Sequence, residues 1–168
     1  MLFTLIMIAA NTAFWVGLHF GTAFAFTSVP RRYRERLFAA CRAFFRVSQV
    51  EMRFYRKIRL PEWKDRLPQY NRDFDKRGLP AEVTEGYLLE YRFITCQAEA
   101  VHYLIAALGY LSLLFCLACE RPARNLPLFF GIATALGLCN FPFAMVQRYN
   151  RCRLDAVLAR LRRTNGRA

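Results

Sequence analysis

Charged residues are absent from long parts of this chain. The first 27 residues contain no Lys, Arg, Asp or Glu, while 20 uncharged residues precede Glu120 and 23 precede Arg148. About 20 apolar residues cross the hydrocarbon core of a bilayer. We therefore predict an all-α integral membrane protein with three transmembrane helices, over about 2–26, 99–119 and 125–147. This uneven distribution of apolar residues excludes an intrinsically disordered chain and a soluble α/β enzyme.

The first apolar run also lacks a basic segment before it. The arginine-rich residues 31–36 follow the run instead. A secretory signal peptide has the opposite order, with basic residues first. We therefore expect the run to remain in the protein as an uncleaved membrane span.

Basic residues outnumber acidic ones by 25 to 12, and the predicted spans explain where they lie. Sixteen Lys and Arg fall between the first two spans and seven follow the third, against two in the short loop 120–125. The positive-inside rule then predicts a plasma-membrane protein with its N-terminus outside and its C-terminus in the cytoplasm. Basic residues beside spans meet anionic head groups, so we expect contact with the lipid bilayer and not with nucleic acid.

The segments between and after the spans differ in character. Residues 31–59 predict an amphipathic helix in the membrane surface, with an aromatic face beside a basic face; a solvated basic face with an ordinary packing face is the alternative. Residues 60–94 have a soluble composition broken by proline and glycine, and we place them in the cytoplasm. We expect a short helix from Val83 to run into the second span, because no helix-breaking residue separates Tyr87 from the membrane. Residues 148–168 predict a basic C-terminal helix. The whole chain, 1–168, is expected to form one membrane domain.

Glu99 and His102, at the start of the second span, are the first candidate catalytic residues. Three residues apart on a helix, they share one face and their side chains can meet. A carboxylate beside an imidazole fixes its tautomer and raises its basicity, as a general base requires. Ionisable residues at membrane depth also tend to mark functional sites. The alternative is that Glu99 extends to the interface while His102 makes a helix contact.

A second set of polar residues lies at the end of the third span. Asn140 falls inside the apolar run, where its amide needs a hydrogen-bonding partner. The residues that follow combine amides with guanidinium groups suited to phosphate or carboxylate. They are Gln147, Arg148, Asn150, Arg151 and Arg153. Because the second span begins and the third ends on the cytoplasmic side, we expect both sets to form one site for a reaction on a lipid. An ordinary stop-transfer charge cluster is the alternative.

Four short motifs resemble a known family. They are Trp63-Lys64-x-Arg66-Leu67, Ala98-Glu99-x-x-His102, Asn140-x-Pro142 and Val146-Gln147-Arg148-Tyr149-Asn150-Arg151-x-Arg153-Leu154. Their order and spacing resemble the glycosyl-4,4′-diaponeurosporenoate acyltransferase family over roughly residues 50–163. The resemblance implies an O-acyltransferase that moves a fatty acyl group to a hydroxyl of a lipid-linked sugar, on a glycosylated carotenoid or another glycolipid.

This resemblance, together with the two polar sets, suggests a mechanism. His102, oriented by Glu99, would take the proton of the acceptor hydroxyl as that oxygen attacks a thioester. Gln147 or Asn150 would donate to the developing oxyanion. Arg148, Arg151 and Arg153 would hold the phosphates of the donor, an acyl-CoA or acyl-carrier thioester. Asn140 is also expected to bind substrate, and Trp63 and Lys64 would close over the site from the cytoplasm. No Ser or Cys neighbours His102, so we expect direct transfer without a covalent acyl-enzyme. We also expect no cofactor and no metal.

Two other functions compete with acyl transfer. A metal centre at Glu99 and His102, as in membrane hydrolases or desaturases, needs further ligands, and the one other histidine, His19, is predicted on the opposite side. A non-catalytic scaffold that binds a lipid or a partner transferase is the second alternative. We also expect that a cavity closed around two lipidic substrates would require a homodimer.

Overall fold

A computed structural model of the chain describes residues 2–68, 74, 78–80 and 82–165, and no strand occurs among them. The helices are α1 (Leu2–Ser28), α2 (Arg31–Ala40), α3 (Arg42–Phe45), α4 (Gln49–Lys57), α5 (Leu60–Trp63), α6 (Glu85–Leu108), α7 (Pro122–Leu138) and α8 (Phe141–Asn165). Two 3₁₀ helices, Lys64–Arg66 and Gly109–Ala118, follow α5 and α6. The predicted all-α fold is confirmed.

Three helical stretches are long and apolar enough to cross a membrane. They are Leu2–Ser28, Glu85–Ala118 and Pro122–Asn165. Their large apolar side chains are widely exposed: Leu2, Phe24, Leu117 and Leu128 are each more than 60% accessible, and α1 buries Trp15 alone. Such continuous apolar surface is not tolerated in water on a monomer. The prediction of three helices long and apolar enough to span a membrane is confirmed, and these helices indicate a membrane protein.

The chain divides into two compact units. The first unit comprises 1–31 and 100–142, and the second comprises 32–99 and 143–168. In the first unit, Trp15 of α1 packs with Val101 and Ile105 of α6 and with Ala133 of α7. The second unit contains 22 of the 25 basic residues and 11 of the 12 acidic residues.

A ten-residue 3₁₀ helix, Gly109–Ala118, completes the second span. Runs of more than three or four residues are uncommon for this helix type. At its start, a Cβ built on Gly109 would lie 2.2 Å from a ring carbon of Trp15. The indole therefore occupies the space above this glycine, and no larger residue fits there without moving α1 or the ring.

Two apolar clusters form the core of the second unit. Met52, Tyr55, Leu60 and Val146 pack together, with Trp63 against them. Leu88 and Tyr91 of α6 pack on Leu154 and Leu158 of α8 in the other cluster. Four of the six buried positions of α8 recur every four residues, at Val146, Asn150, Leu154 and Leu158, as expected for one face of a helix.

The single amphipathic helix predicted over 31–59 is three short helices in the structure. The chain leaves α3 at Arg46 with an extended backbone, and Ser48 caps α4 by accepting a hydrogen bond from the backbone N–H of Glu51. A serine three residues before a glutamate is the capping signal of a helix start. The helical pattern of apolar residues continues across this break, which is why periodicity alone predicted one helix.

Other predicted boundaries shift by smaller amounts. The helix that carries the second span begins at Glu85, two residues from the helix start expected at Val83, and its first turns precede the span predicted over 99–119. The third span is interrupted between α7 and α8 at Cys139 and Asn140, because Pro142 lacks the N–H that a continuous helix would need there. Parts of the predicted cytoplasmic segment (69–73, 75–77 and 81) and the end of the predicted C-terminal helix (166–168) lie outside the described residues.

Candidate functional site

A buried ion cluster in the second unit contains Glu99. This carboxylate is fully buried and accepts hydrogen bonds from Arg148, at 2.5 Å, and from Arg151. A carboxylate at this depth is tolerated only when it is paired and hydrogen-bonded. The structure therefore places Glu99 between two guanidinium groups of α8.

Arg148 uses all five of its N–H groups within the protein. Its Nε and Nη2 donate to the two carboxylate oxygens of Glu51, and one Nη1 proton is donated to Glu99. The remaining two bonds, each 3.0 Å long, reach the backbone carbonyl oxygens of Phe44 and Arg46. The planar fork of arginine suits this bidentate geometry. In this arrangement no donor of Arg148 is left to hold a phosphate.

Arg151 is fully buried, as Glu99 is. Its Nε donates to the carbonyl oxygen of Phe45 at 3.0 Å, Nη1 lies 3.6 Å from the Cys96 sulfur, and Nη2 donates to Glu99. Its guanidinium carbon also lies 5.5 Å from the centre of the Phe45 ring, within the range of a cation–π contact. Two carboxylates and two guanidinium groups thus form a cluster without formal net charge.

Glu51 joins the cluster from α4 and was not predicted from the sequence. Burial opposes its ionisation, but hydrogen bonds from Arg148 and Tyr55 outweigh burial, and the pKa of Glu51 lies below its usual value. For Tyr55, burial and the bond to Glu51 hold the pKa of the phenol well above its usual range. Glu51 is therefore ionised and Tyr55 neutral at physiological pH.

His102 has a different partner, in the first unit. Its Nδ1 lies 3.1 Å from the side-chain oxygen of Asn140, and the Asn140 amide nitrogen donates to the carbonyl oxygen of Leu136 at 3.1 Å. That second bond fixes which end of the amide faces the imidazole. Because an amide oxygen only accepts hydrogen bonds, Nδ1 of His102 donates to Asn140, and in the neutral imidazole the lone pair is then on Nε2.

The other predicted site residues are distributed through the second unit. Trp63 packs in the Met52 cluster and donates from its indole nitrogen to the Ile58 carbonyl oxygen at 3.0 Å. Lys64 is buried, with Nζ 2.6 Å from Asp65. Arg153 is exposed beside the Tyr149 ring. Gln147 is half-buried on α8.

Asn150 differs from these residues because part of its amide is unsatisfied. The side chain is 5% exposed, and its Nδ2 has no hydrogen-bond partner among the described residues. More than nine in ten buried polar groups in proteins have a partner. Asn150 is therefore a buried donor that an acceptor atom of a ligand would satisfy.

The structure thus groups the predicted residues differently from the expectation. Glu99 contacts Arg148 and Arg151, while His102 contacts Asn140. Sequence reasoning missed Glu51 and Tyr55, although the serine cap ahead of Glu51 marks the helix that presents both. No group of three or more His, Cys, Asp or Glu suited to a metal ion occurs in the described ranges.

Comparison with known proteins gives one result. The family model described as CrtO, glycosyl-4,4′-diaponeurosporenoate acyltransferase, matches residues 41–160, more than two thirds of the chain. Searches of curated proteins and of solved structures gave no match. The matched range includes the ion cluster, the His102–Asn140 pair and all the predicted site residues, so on its sequence this chain belongs to the glycosyl-4,4′-diaponeurosporenoate acyltransferase family.

Proposed function

We propose that this protein is a membrane O-acyltransferase that moves a fatty acyl group from a thioester to a hydroxyl of a lipid-linked sugar. Membership of the family supports the reaction type, and the family's description supports a glycosylated carotenoid, or a glycolipid of similar form, as the acceptor. The distribution of basic residues supports an N-terminus outside and a C-terminus in the cytoplasm, where thioester donors are made.

The observation that carries the catalytic assignment is the hydrogen bond between His102 and Asn140. It leaves the lone pair on Nε2, the ring atom that would accept the proton of the acceptor hydroxyl. The hydroxyl oxygen then forms a bond to the thioester carbonyl carbon, the carbon–sulfur bond breaks, and the thiolate leaves and takes up the proton from the imidazolium. His102 is the catalytic base in this proposal, and Asn140 is a positioning residue.

Asn150 and Gln147 are retained as candidate donors to the oxyanion. The buried, unpaired Nδ2 of Asn150 favours this residue over Gln147. A donor of this kind is typically worth about 3 kcal/mol of transition-state stabilisation. The fully engaged donors of Arg148 instead favour a positioning role for the ion cluster, which includes Glu99.

The test compares the lipids of cells that express the wild type, His102→Ala or His19→Ala at equal membrane levels. His19 is the matched control, because its Nδ1 lies 2.8 Å from the Trp15 carbonyl oxygen of its own helix. We expect a glycolipid that gains one fatty-acyl mass with the wild type and His19→Ala, and not with His102→Ala.

Two results would overturn the proposal. If no acylated product forms with the wild type, although an acceptor is shown to be present, the chain acts as a scaffold and not as an enzyme. If His102→Ala forms product at the wild-type rate, acyl transfer stands but His102 is not its base.

A further inference from the structure

A groove on the second unit has a volume of about 480 Å³, within the range of roughly 300–1,000 Å³ that is typical of small-molecule sites. Three segments line it: α2–α3, the first half of α6 and the second half of α8. Its floor includes Phe38, Phe93 and Leu158. The charged residues of its lining are Arg42, Arg92 and Arg162 with the carboxylates Glu35 and Asp155. The groove therefore joins an apolar floor to a rim on which three guanidinium groups outnumber two carboxylates.

The floor is built from aromatic rings in mutual contact. Phe38 meets Phe93 at a centroid distance of 5.3 Å and Phe45 at 5.1 Å, each with steep interplanar angles. Phe38 and Phe45 are buried, so their positions are set by the unit's own packing. A floor of this kind is preformed and offers an alkyl chain a continuous apolar surface.

The rim arginines differ from the arginines of the ion cluster because their guanidinium groups are accessible to a ligand. Arg92 pairs with Asp155 at 2.7 Å and Arg162 with Glu85 at 2.6 Å, but all four side chains are more than a third exposed. Exposed pairs of this kind contribute little stability, so their guanidinium groups can turn to a phosphate. Arg42 is exposed and has no ion-pair partner among the described residues.

The inner end of the groove adjoins the ion cluster. Phe45 and Cys96 both line the groove, and both contact the Arg151 side chain. Arg151 and Arg148 are engaged by carboxylates and carbonyl oxygens, whereas the guanidinium groups of the rim are exposed. The groove therefore offers apolar contacts inside and cationic contacts outside.

We infer that this groove binds the acyl thioester donor as acyl-coenzyme A, with the acyl chain along the phenylalanine floor and the phosphates at the three rim arginines. The inference rests on the proposed function, since it names the donor of that reaction. A membrane phospholipid also combines acyl chains with a phosphate, but it carries one phosphate where coenzyme A carries several. Three arginines, which outnumber the two lining carboxylates and include Arg42 with no ion-pair partner in the described ranges, provide more guanidinium groups than one phosphate needs and so favour coenzyme A.

The test measures binding of palmitoyl-coenzyme A to the full chain in phosphatidylcholine nanodiscs. Ala39 lines the groove and neighbouring Ala40 does not, and both are exposed on α2. Ala39→Trp places an indole in the groove and should weaken binding at least tenfold, while Ala40→Trp should stay within about twofold.

Arg42→Gln should weaken binding about fivefold and reduce its dependence on salt, as expected when one phosphate contact is lost. Arg36→Gln, outside the lining, serves as its control.

Equal binding by Ala39→Trp and Ala40→Trp would overturn the inference. So would displacement of palmitoyl-coenzyme A by phosphatidylglycerol at equal concentration, because that result would make the groove a phospholipid site. The proposed function can fail while the inference stands. If the wild type binds the donor in the groove but forms no acylated product, the binding site is retained and the proposed reaction is wrong. If the wild type forms product and Ala39→Trp has an unchanged KM for the donor, the proposed reaction is retained and the inference about the groove is wrong.

Discussion

Nδ1 of His102 lies 3.1 Å from the side-chain oxygen of Asn140, 38 residues away in the chain. The partner of the imidazole is thus an amide on the turn between α7 and α8. An amide fixes the tautomer of a histidine as a carboxylate does, but adds no charge to the low-dielectric interior of the membrane.

Replacement of Asn140 should therefore affect the chemical step. In Asn140→Leu the Nδ1 proton loses its acceptor and either tautomer can form, so kcat should fall by about 10- to 100-fold, as for other orienting partners of histidine, with little change in KM. Asn140→Asp keeps an oxygen acceptor and should recover part of the rate. The measurement is steady-state acyl transfer in membranes. A change in KM alone would assign Asn140 to substrate binding.

Arg148→Lys should destabilise the second unit although the charge is kept. Lysine offers three N–H donors where Arg148 uses five, and it cannot form the bidentate pair with Glu51. Breaking a buried ion pair costs about 3 kcal/mol, which thermal unfolding in detergent would detect as a lower midpoint. Arg153→Lys, at an exposed position of the same helix, should leave the midpoint unchanged, and equal midpoints for all three proteins would contradict the structure.

The stability of the second unit should fall in acid. Because the pKa of Glu51 is lower in the folded protein than its ordinary value of 4.5, its stabilising contribution is present above about pH 4.5 and is lost as the pH falls through the folded-state pKa. Glu51→Gln should be less stable than the wild type at pH 7 and show a shallower decline below pH 5. Unfolding midpoints between pH 3 and 7 test this, with exposed Glu62→Gln as the control.

Gly109→Ala should disturb the packing of α1 in the first unit. The added Cβ would lie 2.2 Å from a carbon of the buried Trp15 ring, and overpacking of this kind costs about 1–3 kcal/mol. Gly131→Ala is the matched change on α7, where a Cβ meets nothing within 4 Å. Trp fluorescence and unfolding midpoints should change for the first variant and not for the second.

The features of the structure that depend on composition and residue spacing could be predicted from the sequence. Three uncharged runs gave three spans, and Asn140 was expected to need a partner because an unpaired amide is costly in an apolar run. The partner of Glu99 was not predictable from the i, i+3 spacing to His102. Two guanidinium groups on α8 attract a buried carboxylate more strongly than a neutral imidazole does, and their approach depends on tertiary packing.

This difference changes which variants are informative about function. In cells, Glu99→Gln or Arg148→Lys should reduce product formation whether the chain is a catalyst or a scaffold for a partner transferase, because both residues maintain the fold of the second unit. Variants of His102 and Asn140, outside that cluster, separate the two functions.

The carbonyl groups at the end of α3 have a consequence for the order of folding. Those of Phe44, Phe45 and Arg46 accept hydrogen bonds from arginines that follow them by 102 to 106 residues. Contacts so distant in sequence form late, and a ribosome must complete α8 before the break between α3 and α4 can be held. A nascent chain that ends before Arg148 would leave those carbonyls and both glutamates of the cluster without their arginine donors, so synthesis of the last helix sets the moment at which the second unit takes its shape.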